Sequence, residues 1–155
     1  MAVILGFLLV TVFIITLLGT VDFFNFSSNS RDVRRWADTS NVIVAFKKYK
    51  QQNNGQLPSV ISSTTPTEIY MITGGEKTMG CATQNDKCLF KVTDDSHCLD
   101  LSLLVKEGYL TQVPVSPNDK IWRPDLTGYT FQRENNIITI RSCEAEETEA
   151  IWAAQ

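Results

Sequence analysis

The segment MAVILGFLLVTVFIITLLGTV (residues 1–21) decides the fold class, because it contains no charged side chain. At a helical rise of about 1.5 Å per residue, the run is about 30 Å long, close to the thickness of the hydrocarbon core of a bilayer. We expect it to span a membrane or to be buried in an equally apolar environment. A polar stretch, 27–35, comes next, and a second helical pattern begins within it at about residue 31 and extends to about residue 53. Together they predict one long helix, apolar in its first half and amphipathic in its second.

Composition limits what the rest of the chain can be. The chain has 155 residues, of which more than 100 follow the apolar half-helix, enough for one compact domain with its own core. A net charge of -3 does not suggest a nucleic-acid-binding surface. One histidine, no glycine-rich phosphate loop and no paired metal motif leave no catalytic constellation. We expect neither an enzyme nor a cofactor or metal site.

The cysteines carry the strongest signal in the second half of the chain. Cys81, Cys88, Cys98 and Cys143 form an even set in a small polar domain behind an apolar segment, which predicts two disulfides. Four reduced, buried thiols are the alternative. A zinc site has little support, because C-x-x-C is absent and His97 is adjacent to Cys98. The sequence alone leaves all three disulfide pairings open.

The disulfides and the positions of the basic residues predict opposite orientations of the chain in a membrane. Disulfides would place the polar domain outside the cytoplasm, whereas the basic residues all follow the apolar run, and basic flanks favour the cytoplasmic side. The conflict disappears if the chain is a mature form from which a short basic leader has been cleaved. A secretory signal peptide would instead be cut behind its apolar core. We therefore expect an unusual cleavage, directly before the apolar run.

Hydrophobic periodicity predicts how the second half-helix and the following domain are organised. Trp36, Ile43 and Tyr49 belong to an apolar stripe at helical spacing, and we expect them to pack the helix on the head, with Trp36 as the main anchor. A contact of Trp36 with another subunit is the alternative. Residues 68–73 predict a strand, and the alternating segments 128–133 and 137–141 predict a hairpin. The tail from residue 144 is predicted to be a short helix or a disordered end.

The order of these segments is similar to a known family. The segments RDVRRWADTSNVIVAFKKYKQQNNGQLP (31–58), CLDLSLLVKEGYL (98–110), VPVSP (113–117) and TGYTF (127–131) resemble those of type IV pilins and the type II secretion pseudopilins. An I-x-I strand followed by two glutamates, Glu144 and Glu146, agrees. The resemblance covers most of the chain except 59–97 and the tail. It implies an α+β lollipop, with a long N-terminal helix packed on a small antiparallel sheet.

The family also implies a division of the chain and a role for each part. Residues 1–26 would be the membrane anchor and filament core, and 27–155 the globular head, including the amphipathic half-helix 31–53. A prepilin peptidase would remove the leader and leave a methylated Met1. The implied disulfide pairs are Cys98 with Cys143 and Cys81 with Cys88. The residues expected in the assembly core are Leu5, Phe7, Leu8, Val12, Ile15 and Gly19.

The function implied is that of a structural major pilin, which polymerises into a surface filament for adhesion, twitching motility or DNA uptake. Its partners would be further copies of itself, the assembly machinery of the inner membrane, and the membrane itself before assembly. DNA is a possible partner, but no residue of the sequence supports it. One departure favours a minor pilin or a secretion pseudopilin instead: Leu5 stands where the family usually has glutamate. The alternative from another class is a membrane-anchored periplasmic binding or sensor domain.

Overall fold

A computed structural model describes residues 28–118 and 120–155 of the chain. The apolar segment 1–26, with Met1 and the expected assembly-core residues, lies outside the described residues. Within the described ranges, no helix has the length and apolar content needed to cross a bilayer. The described part consists of one long helix packed on a five-stranded sheet, together with two short helices, which confirms an α+β fold.

The first helix, α1, covers residues 28–52 of the described chain. It ends at a left-handed turn, in which Asn54 and Gly55 have φ of 54° and 81°. The Gly55 N–H donates to the carbonyl of Lys50 at 2.8 Å, which satisfies one of the carbonyls left unpaired at a helix C-terminus. The Asn-Asn-Gly signal therefore ends the helix where the sequence predicts.

The remaining elements follow in short segments. Helix α2 is Ser59–Ser62, and strand β1 is Ile69–Thr73. After a 3-10 turn at Asn85–Lys87 come β2 (Cys98–Asp100) and α3 (Ser102–Lys106). Strands β3 (Tyr129–Glu134), β4 (Ile137–Ser142) and β5 (Trp152–Ala154) complete the sheet.

The strand order is β2-β1-β3-β4-β5, and β1 pairs with β2 in parallel, whereas every other pair is antiparallel. The expectation of a purely antiparallel sheet is therefore wrong. A parallel pair needs a long crossover, and the segment between β1 and β2 supplies it. The predicted β3–β4 hairpin is confirmed, with Asn135 and Asn136 at positive φ in its turn. The tail, predicted as a helix or a disordered end, instead adds β5 at the edge.

The sheet has a core on each face, as the alternation along β1 shows. Tyr70 and Ile72 belong to the cluster beneath α1, whereas Met71 belongs to a cluster beneath the disulfide-containing loops. The helix-side core also contains Val42, Ile43, Phe46, Leu99, Leu101, Leu104, Tyr129, Phe131, Ile138 and Ile140. The opposite core contains Cys81, Cys88, Val92, Trp122, Leu126 and Cys143. The loops 74–97 and 113–127 thus replace a second layer of secondary structure.

Candidate functional site: the helix and the C-terminal segment

The helix contacts the C-terminal segment through a buried arginine. The side chain of Arg35 is 1% exposed. Its Nη1 donates to Asp32 Oδ1 at 2.6 Å and to Glu146 Oε1 at 2.8 Å, and its Nη2 lies 3.5 Å from Glu144 Oε2. Its Nε donates to the hydroxyl of Ser116 at 3.3 Å. We call Arg35, Asp32, Glu144 and Glu146 the arginine cluster.

The C-terminal segment also donates backbone N–H groups to the helix. Asp32 Oδ2 accepts the N–H of Glu146 at 2.9 Å and that of Glu147 at 2.8 Å. Arg31 Nε donates to Glu146 Oε1 at 2.7 Å, and the hydroxyl of Ser28 donates to the carboxylate of Glu147. The hydrogen bond from Arg31, aided by Arg35, lowers the pKa of Glu146 to about 2. Charge-assisted hydrogen bonds therefore fix the segment against the first described turns of α1.

The same segment is anchored to the opposite core. Trp122 Nε1 donates to Glu144 Oε2 at 2.9 Å, and Asn118 Nδ2 donates to Glu144 Oε1 at 3.1 Å. Trp122 is buried, and its ring lies against Gly128, whose φ is +78°. A Cβ added at Gly128 would come within 2.5 Å of a ring carbon. The carboxylate of Glu144 thus connects the arginine of α1 to the indole of the second core.

A second polar contact joins α1 to β3. The hydroxyl of Tyr129 donates to Asp38 Oδ2 at 2.7 Å. Burial raises the pKa of Asp38, and burial together with the Asp38 hydrogen bond raises the pKa of Tyr129. The raised pKa of Tyr129 keeps its hydroxyl protonated at neutral pH, as a hydrogen-bond donor to Asp38 must be.

The inward side of α1 differs from the stripe that the sequence predicted. Buried positions follow the helical repeat, and three of these five are polar: Asp32, Arg35, Thr39, Val42 and Phe46. Trp36 lies on the outward side of α1 and is 41% exposed. Val33 and Val44 are exposed as well. The prediction that Trp36 anchors the head is therefore wrong for the single chain, because Arg35 occupies the inward position beside the acidic residues of the head.

The other two residues expected in the helix–head contact do lie there. Ile43 is buried in the helix-side core. Tyr49 is partly buried against the same core, and its ring centroid is 5.2 Å from that of Tyr109. The apolar contact is thus concentrated in the last three turns of α1, and the ionic contact in the first described turns.

All four cysteines form disulfides, as predicted, but the implied pairing is wrong. The bridges are Cys81–Cys98 and Cys88–Cys143. The carboxylate of Asp95 accepts backbone N–H groups on both sides of Cys81, which places that residue beside the start of β2. The N–H of Leu89 donates to the carbonyl of Cys143 at 3.3 Å, which brings Cys88 to the end of β4. Hydrogen bonds beside each bridge, which sequence spacing does not reveal, therefore hold the paired cysteines close together.

Acidic residues do not gather into a metal site in the described parts of the chain, where no three potential His, Cys, Asp or Glu ligands lie together. Asp125 instead receives a hydrogen bond from Lys77 Nζ at 2.9 Å. That bond, with one from Arg123, lowers the pKa of Asp125 to about 2. The carboxylate is thus already paired with cations of its own chain.

Comparisons of the chain with protein-family models, with curated proteins and with solved structures find no match. Sequence reasoning missed the arginine cluster. Its two available signals were the three-residue spacing of Asp32 and Arg35 and the acidic run after Cys143.

Proposed function

We propose that this chain is a structural subunit of the type IV pilin family, a major pilin that polymerises into a surface filament. The observation that carries the proposal is the combination within one chain of a charge-free run at 1–21 and a disulfide-bonded head attached to α1. The helix and sheet of the head are compatible with the lollipop that the resemblance implies. The segment after the last cysteine, held on α1 by the arginine cluster, gives a rigid junction between helix and head.

Physical chemistry explains why such a chain would polymerise. Lipid tails and neighbouring apolar helices are similar surroundings, so transfer of the segment 1–21 from a bilayer to a filament axis changes its free energy little. Exposure of the same segment to water would forfeit about 0.8 kcal/mol for each buried CH₂ group. A head-to-tail contact whose rotation does not close produces an open fibre. The chain would therefore exchange between membrane and polymer.

A minor pilin or a secretion pseudopilin is the second candidate, and Leu5 is the residue that favours it. The family's glutamate at this position is thought to meet the N-terminal amine of a neighbouring subunit, and here no acid occurs before Asp22. A buried amine without a counter-charge is costly. A subunit at a filament tip has fewer neighbouring subunits, so it would bury its N-terminal amine without a counter-charge in fewer contacts.

The test is electron microscopy of filaments sheared from cells, with mass spectrometry of the filament protein. We expect fibres built mainly from this chain, beginning at a methylated Met1. Val12→Asp should abolish the fibres, because a charge would have to enter their apolar axis, whereas the matched Val12→Leu should preserve them. Labelling confined to fibre tips would favour the minor subunit. A chain that stays single in detergent and forms no fibre in cells would contradict the proposal and favour a membrane-anchored binding or sensor domain.

A further inference from the structure

The face of the sheet away from α1 holds an arginine that is only partly covered. Arg141 lies on β4, and its Cζ is 4.5 Å from the centroid of the Phe90 ring. Its Nη1 is buried without a hydrogen-bond partner, and no ion pair or side-chain hydrogen bond engages the guanidinium within the described residues. Burial lowers the pKa of Arg141, although the charge of Glu134 opposes this effect. The guanidinium has thus lost water on one side without gaining a direct partner.

Trp152 lies directly opposite Arg141 on the neighbouring strand β5. Ile138 and Gln155 exchange both backbone hydrogen bonds, and Ser142 donates to Ile151. Hydrogen-bonded pairs alternate with non-bonded ones in an antiparallel ladder, so Arg141 and Trp152 form a non-hydrogen-bonded pair, in which side chains are closest. Trp152 is nevertheless 50% exposed. We call Phe90, Arg141 and Trp152 the Arg141 surface.

The backbone beside this surface is also unpaired. Strand β5 is an edge of the sheet. Because Ile151, Ala153 and Gln155 face β4, the N–H and C=O groups of Trp152 and Ala154 face outward, and they have no backbone hydrogen bond to any described residue. An edge strand with free groups can accept another extended segment.

We propose that the Arg141 surface and the β5 edge dock an extended, carboxylate-bearing segment of a second copy of this chain. The guanidinium of Arg141 would bind a carboxylate, and the exposed indole of Trp152 would contact an apolar side chain next to it. The unpaired backbone groups of β5 would form hydrogen bonds with a segment in an extended conformation. A single cation within an apolar surface suits a peptide better than a polyanion such as DNA, which needs several phosphate contacts.

The occupant is a second copy for two reasons. The chain carries 17 acidic against 14 basic residues, so its own surface supplies carboxylates in excess. Among the described acidic residues that enter no ion pair, four also accept no hydrogen bond from another described residue: Glu76, Glu107, Glu134 and Glu149. The inference also rests on the proposed function, because a filament holds many copies at high local concentration. Contact between this surface and a different patch of the next copy is heterologous and suits an open fibre.

The test is photo-crosslinking of the full chain in cells that make its filaments. A benzophenone amino acid replaces Trp152, and the matched control replaces the exposed Lys106 on α3. We expect a crosslinked dimer from position 152, joined to an acidic peptide of the second copy, and at least about tenfold less dimer from position 106. Adding Arg141→Glu should reduce the dimer from position 152 by more than about tenfold, whereas Arg123→Glu, at an exposed site, should leave it unchanged.

Folding is checked by urea denaturation of each variant, and Trp152→Ser, at an exposed position, provides a second variant of the surface for counting filaments. Filaments that form normally with Trp152→Ser and give no dimer from position 152 would overturn the inference and leave the proposed function standing. Crosslinks to another protein or to lipid would also overturn it. A wild-type chain that forms no filament would refute the proposed function, and the inference with it.

Discussion

Replacement of the buried Arg35 by methionine tests whether the arginine cluster holds the C-terminal segment on α1. Methionine keeps much of the apolar stem but removes the cation that contacts Asp32, Glu144 and Glu146. Removal of one partner from a buried ion pair costs about 3–5 kcal/mol. We expect the lower end, about 3 kcal/mol, because Asp32 keeps its backbone N–H donors and Glu146 keeps Arg31.

Urea denaturation of the full chain in nonionic detergent, followed by tryptophan fluorescence, measures this loss. With a slope of about 1.5 kcal/mol per molar urea, a loss of about 3 kcal/mol lowers the midpoint by about 2 M. The matched control is Arg34→Met. The Arg34 side chain is 59% exposed and lies 4.0 Å from Asp38, so its removal should cost less than about 1 kcal/mol. Equal midpoints for the two variants would refute the structural role of Arg35.

The dependence of stability on pH gives a second measure of the same cluster. The pKa of Glu146 is about 2 in the folded chain, against an ordinary value of 4.5. A lowered pKa contributes stability that is fully present above pH 4.5 and is lost as the pH falls toward 2. Wild type should therefore lose stability in this window. Arg35→Met should lose less over the same window, because Arg35 is one of the two cations that lower the pKa of Glu146, while Arg31, the larger cause, remains. Parallel curves would contradict the assignment.

Two further predictions concern the opposite core. Gly128→Ala should cost about 1–3 kcal/mol more than Gly108→Ala, because both sites have positive φ but only Gly128 would press a Cβ into the ring of Trp122; equal urea midpoints would contradict this. Replacing the cysteines of Cys88–Cys143 by alanine should cost about 4 kcal/mol, against about 3 kcal/mol for Cys81–Cys98, since the sequence separations are 55 and 17. A reversed order of thermal midpoints would show that loop entropy does not govern these bridges.

Local signals in the sequence were sufficient for several elements. The stop after Gln52 follows from Asn54 and Gly55, which tolerate positive φ. The strand at Ile69–Thr73 and the β3–β4 hairpin follow from alternation and from the turn at Asn135 and Asn136. Strand β5 could not be predicted, because its three residues form a strand only where β4 offers a free edge.

What the sequence by itself determined is therefore the division of the chain into an apolar run, an amphipathic helix and a disulfide-bonded α+β head, since charge, periodicity and turn residues act locally. Only the tertiary structure decided which cysteines pair, which side of α1 faces the head and where Arg35 finds its counter-charges. The contacts of α1 with the head join residues more than 80 positions apart, such as Arg35 with Glu146, and the disulfides close separations of 17 and 55 residues. Arg35 is buried and Trp36 is exposed because the acidic C-terminal segment folds back onto the helix beside Arg35. Hydrophobicity alone predicts that Trp36 would be buried and Arg35 exposed.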